Sequence, residues 1–311
     1  MGVCQIVIRH RAPEDKLKLV ERVLAPLNSR FVHLSYTEHD EVTANTQAVT
    51  HAAFLSSVLL RRLQCCRLAN TGNRMGTAWQ SMNRFPWETG RYVGGIEVVK
   101  INITLRIYAA KWHVYAGLAI LNPAAKVQID QYAQSVTDLF KLMIEEREDE
   151  LRQRVYAARD FVFGEASESA PLLLSDKALE KFTIGNPPPE HEPPPNSHLA
   201  LLAMVDCWHS LKIRPFEHLA LAATPVFRLW IGVAEYLFKS PDRLESAIKA
   251  AAWDKSHRSD DTEFIVAARG WSQCVSYGSF DWYRHRFEET RKFFEPRFEE
   301  SRFVLESLWY A

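Results

Sequence analysis

Beyond Tyr36 the apolar residues of this chain recur at helical spacing almost to the C-terminus. Each such segment has one apolar stripe to bury, and the only partners on offer are other helices. Only the first 36 residues read differently. VCQIVI (3–8) and FVHL (31–34) read as short strands, and PEDKLKLVERVLAPL between them as a helix with Leu17, Val20 and Leu24 on one face. The expected fold is therefore mainly α, with a short α/β remnant over residues 1–36 that looks like the tail of a larger α/β domain.

Capping chemistry divides the helical part. Thr37 with Asp40 three residues on predicts a capping box, opening the helix through TEHDEVTANTQAVTHAAFLSS. Asn122-Pro123 opens a long helix with Val127, Val136, Phe140 and Met143 on one stripe and Gly164 after its end. Ser240-Pro241 caps DRLESAIKAAAW, and Phe280, Tyr283, Phe287 and Phe294 recur at helical spacing before Pro296. GNPPPEHEPPPNS (185–197) is too stiff and too poor in backbone donors for a core element and reads as a linker. It separates a first helical domain, 37–184, from a second helical repeat, 198–311.

An internal echo links the two halves. His198 begins HLALLAMVDCW, ten residues before Trp208. His51 begins HAAFLS, and removing 57–74 joins this to MGTAW with the same separation. RFPWE (84–88) follows the first Trp and RPFEH (214–218) the second. Each copy then reaches a lone arginine in apolar company, Arg106 in ITLRIY and Arg228 in PVFRLW. An internal duplication is the expectation. Segment 57–74, SVLLRRLQCCRLANTGNR, interrupts it with four arginines and a Cys-Cys pair. It reads as an insertion, either a basic loop or translated intron, and a poorly packed one.

Composition bounds the partners. Formal net charge is zero, so neither nucleic acid nor an anionic membrane surface is indicated. No stretch approaches the ~20 apolar residues of a membrane span. Cys4, Cys65, Cys66, Cys207 and Cys274 form no CxxC pair, which points to reduced thiols, a cytoplasmic protein and no zinc site.

TEHDEVTANTQAVTHAAFLS resumed by MGTAW resembles the start of the helical dimerisation domain of prephenate dehydrogenases. GGIEVVKINITLRIYAAKWHVYAGLAILNP, HLALLAMVDCW, TPVFRLWIGVAEYLF and DDTEFIVAARGWS look like the fungal, NADP-dependent branch. The resemblance implies a 6-phosphogluconate-dehydrogenase-like C-terminal helical domain. It also implies a reaction in which prephenate loses its ring carboxylate as CO2 while hydride passes to NADP, giving 4-hydroxyphenylpyruvate in tyrosine biosynthesis. Partners implied are prephenate and either a homodimer or an internal pseudo-dimer. The twelve glycines allow no GxGxxG, so NADP and the catalytic histidine are expected in a nucleotide domain that this chain lacks. Alone, the polypeptide is expected to be inactive. The alternative is a non-catalytic helical module that dimerises or binds an aromatic acid.

Four residues are candidate substrate contacts. His51 stands where the family places a histidine facing substrate, and Arg106 matches its substrate arginine, whose guanidinium fork suits a carboxylate. The bland readings are a core histidine satisfied by backbone and a snorkelling arginine. His198 and Arg228 are the second-copy equivalents, forming a second site or a decayed, structural one. Glu38-His39-Asp40 cannot converge on one metal from consecutive helical positions, and Asp40 reads as a cap.

Overall fold

Two parallel strands open the chain. In a computed structural model describing residues 4–69, 107–164, 196–222, 225–255 and 258–295, β1 (Cys4–Ile8) pairs with β2 (Arg30–Leu34), Cys4 opposite Arg30 and Ile8 opposite Leu34. A parallel pair needs a crossover, and α1 (Glu14–Leu24) supplies it. None of its residues is buried, and Leu19, Val20 and Val23 lie exposed.

α2 (Tyr36–Ala69) starts two residues earlier than the Thr37–Asp40 box requires. The box is made by Ser35 and Glu38 instead. Ser35 N–H donates to Glu38 Oε2 (2.8 Å) and Glu38 N–H donates to Ser35 Oγ (3.2 Å). Asp40 caps nothing; its carbonyl accepts from Asn122 Nδ2 at 2.8 Å. The backbone of 57–69 continues α2, and residues 70–74 lie outside the described residues.

After residues 107–109 come α3 (Trp112–Leu121), α4 (Pro123–Ile144) and α5 (Glu148–Phe163). Asn122 caps α4 as expected, its Oδ1 accepting from the N–H groups of Ala124 and Ala125. The single long helix expected from Pro123 to Gly164 is two helices. Glu146 takes φ 55, its N–H donates to Met143 O, and Arg147 N–H donates to Leu142 O at 3.0 Å. That is a Schellman stop built without glycine. Val127 also leaves the expected stripe: it is 56% exposed while Val136 and Met143 are fully buried. Nine helical positions separate Val127 from Val136, half a turn out of phase.

Beyond the linker, of which 185–195 lie outside the described residues, follow α6 (Leu199–Ser210), α7 (Pro215–Ala222), α8 (Pro225–Phe238), α9 (Pro241–Trp253), α10 (Arg258–Ser276) and α11 (Phe280–Phe294). Ser240 caps α9 as expected, accepting from Arg243 N–H.

Helices from both sides of the linker share one core. α2, α4 and α10 pack pairwise, α6 lies on α4 and α5, and α11 covers α3. Ala44, Ala48, Ala52 and Ala53 on α2 are small enough to let its neighbours close in, and Trp208, Trp230 and Trp271 fill the space between. Burying side chains of that size stabilises the fold by about 3 kcal/mol each relative to exposure. Polar ties fix the registers. Arg154 forks onto Asp206 (2.7 and 2.8 Å), joining α5 to α6. Asp130 accepts from Ser272 Oγ (2.6 Å) and Ser276 Oγ (3.1 Å), joining α4 to α10.

Candidate functional site

His51 sits mid-way along α2 on the face that meets α3 and α10, half-buried. Its ring meets Tyr115 edge-on, centroids 4.7 Å apart and planes at 86°. Nδ1 is buried with no hydrogen-bond partner. Burial lowers the imidazole pKa to about 4, because the charged form loses its water. At neutral pH the ring is therefore uncharged, with one donor and one acceptor nitrogen.

Beside it lies a cavity of about 10 Å³ walled by Ala48, Tyr115, Ile129, Trp271 and Tyr283. That volume holds about one water. One turn along α2, the Leu55 carbonyl accepts from Trp271 Nε1 (3.0 Å) and from Tyr108 Oη (3.2 Å). Both aromatic side chains are buried.

The other expected site residues are placed less alike. Arg106 lies outside the described residues; of the residues after it, Ile107 is buried and Tyr108 is buried against α2 and α11. His198 is the residue before α6, in the left-handed region at φ 49, its N–H donating to Asn196 Oδ1 and its carbonyl accepting from Leu201 and Leu202. His51 is internal to its helix, so the two histidines do different local work. Arg228 is exposed on α8. Neither His198 nor Arg228 lines the His51 cavity. His39 Nδ1 lies 3.3 Å from Asp40 Oδ1 and its Nε2 lies 3.4 Å from Thr43 Oγ1. Among the described residues, no group of three or more His, Cys, Asp or Glu could hold a metal ion, and no helix is long and apolar enough to cross a membrane.

Sequence reasoning missed a polar cluster in the core. Gln128 Nε2 donates to Asn45 Oδ1 (2.5 Å), and Asn45 Nδ2 lies 3.2 Å from His218 Nε2, tying α4, α2 and α7. Its one signal was the pair of uncharged amides at otherwise apolar helix positions.

A dinucleotide does not fit the described residues. The turn from β1 to α1, RHRAP, has no glycine, and Glu14 and Asp15 occupy the first turn of α1. The other helix that follows a strand, α2 after β2, carries Glu38 in its first turn, so carboxylates repel a pyrophosphate from both helix N-termini.

Residues 70–309 match a family model described as the TYR1-like, 6-phosphogluconate dehydrogenase C-terminal domain. The chain belongs to this family. The match runs across both sides of the linker, as the single core does, and bears out the helical domain expected from the sequence. The chain is 48% identical over 298 residues to a Schizosaccharomyces pombe protein named probable prephenate dehydrogenase (NADP+), covering 95% of this chain and 64% of that protein. It is 47% identical over 307 residues to the Saccharomyces cerevisiae prephenate dehydrogenase (NADP+), covering 96% and 63%. It thus spans a little under two thirds of the length of these two relatives. No solved structure matches it.

Proposed function

We propose that this chain supplies the substrate-binding part of an NADP-dependent prephenate dehydrogenase of tyrosine biosynthesis. The observation that carries the reading is identity of nearly one residue in two with two fungal proteins of that name, over 95% and 96% of the chain. In the reaction, prephenate yields hydride from C4 to NADP, loses its C4 hydroxyl proton to a base, and releases its ring carboxylate as CO2 as the ring becomes aromatic.

His51 is assigned to prephenate. A neutral imidazole with an unpartnered nitrogen can donate to a carboxylate or ketone oxygen without carrying charge of its own. Arg106 is assigned to a carboxylate, as a bidentate fork. One fact supports the pairing: Tyr108, two positions after Arg106 in the sequence, bonds to the Leu55 carbonyl one turn from His51. NADP and the catalytic base are assigned to the part of the relatives' length that this chain does not span. The dimer contact is assigned to the helical domain, as a homodimer or an internal pseudo-dimer, in a cytoplasmic enzyme.

In a full-length enzyme carrying this chain, His51→Ala and Arg106→Ala are each expected to lower kcat/KM for prephenate tenfold or more, a loss of about 1.4 kcal/mol in transition-state stabilisation. Unchanged kinetics in both variants contradicts the site assignment.

A further inference from the structure

Two buried side chains from distant parts of the sequence converge on one backbone oxygen. Trp271 of α10 and Tyr108, 216 and 53 positions from Leu55, both donate to its carbonyl. Within an α-helix that carbonyl is also directed at the N–H four residues on. A side-chain donor there is a specific tie, and two are a clamp on this turn of α2. His51 stands on the same face, four residues before Leu55.

A second route joins the same residues. The Tyr108 ring packs against Phe287 (4.9 Å between centroids), Phe287 stacks on Tyr115 (5.9 Å), and Tyr115 meets His51 edge-on. Trp271 forms one wall of the His51 cavity, and the Arg286 guanidinium lies over its ring at 5.0 Å from the centroid. That close approach needs Gly270, where a Cβ would fall 2.6 Å from Arg286 Nη1. A glycine inside a helix is unfavourable relative to alanine, and the seat of the guanidinium explains this one.

We infer that Tyr108 and Trp271 are positioning residues for His51: by sharing the Leu55 carbonyl they fix the turn of α2 that presents the imidazole, with Arg286, seated against Gly270, bracing the indole. The inference rests on His51 being the prephenate contact, but its structural half stands without a ligand. Neither side chain is assigned to touch substrate.

The test uses the 311-residue chain with isotope-labelled histidine, compared with Tyr108→Phe and Gly270→Ala. Tyr108→Phe keeps the ring and removes the hydroxyl, with its bonds to the Leu55 carbonyl and to Thr290. Gly270→Ala favours the helix by propensity yet displaces Arg286 from Trp271, so neither variant attacks the fold broadly. The expected result is cooperative unfolding in both, a shift of the His51 ring signals in the ligand-free protein, unmoved signals from the exposed His33 of β2, and prephenate affinity reduced roughly five-fold, the equivalent of one hydrogen bond. His51 signals that stay in place in both folded variants overturn the clamp. If the unmodified chain binds no prephenate while the His51 signals do shift, the clamp stands and the substrate reading falls.

Discussion

Tyr115 presents its ring to the His51 imidazole at 86°, 4.7 Å between centroids, and closes the imidazole off from water on the α3 side. An edge-to-face pair of this kind orients the ring without neutralising a charge on it, so it suits a histidine that stays neutral. The pairing explains how a polar side chain is kept at the join of three helices, and it gives the site a measurable signature in pH.

That signature is a loss of stability in mild acid. The His51 pKa falls from 6.5 to about 4 in the folded chain, so the unfolded chain takes up the proton first as pH drops. Its contribution to stability is complete above pH 6.5, declines as pH falls through that value, and is exhausted near pH 4, a total of about 3 kcal/mol. Urea unfolding at pH 7 and at pH 4.5 is expected to show a smaller pH penalty in His51→Asn than in the unmodified chain. Equal penalties in both would mean that the imidazole is not shielded.

Ser35→Ala removes one half of the capping box at the start of α2. The expected cost is about 1 kcal/mol, read as a lower denaturant midpoint with unchanged slope. Thr37→Ala is the control, since Thr37 makes no cap here, and it should shift the midpoint by much less.

Asp206 is 3% exposed at its side chain and holds both arms of Arg154, whose pKa it raises by hydrogen bonding. Asp206→Ala leaves the guanidinium half-buried without its fork, and about 3 kcal/mol of stability should be lost. Asp206→Asn keeps one acceptor and should lose less. Thermal unfolding of the two variants side by side decides the point; equal losses would show that shape rather than charge pairing ties α5 to α6.

Much of the fold was legible because its signals are local. Asn122 and Ser240 before prolines announced the starts of α4 and α9, and the β-α-β pattern at the N-terminus came from alternation against helical spacing. What was not legible had its cause in uncharacteristic residues. The breaks after α4 and α6 place Glu146 and Lys212 in the left-handed region, at φ 55 and 58, where a reader looks for glycine. The break after α10 uses Gly278 at φ 66, the residue such a turn favours. The capping box was misplaced by two residues because Ser35–Glu38 and Thr37–Asp40 satisfy the same rule, and the helix begins at the one directly after β2. At the candidate site, His51 came from the family resemblance rather than from its spacing. Its companions Tyr108, Trp271 and Tyr283 could not be found, since their convergence on α2 is a matter of tertiary packing between segments far apart in sequence.

The most direct test of the central claim is isothermal titration of this chain with prephenate, alongside its His51→Ala variant and an NADP titration. The account predicts prephenate binding by the unmodified chain, affinity reduced about tenfold or more in the variant, and no NADP binding by either. Equal prephenate affinity in the two proteins would contradict the placement of substrate at His51.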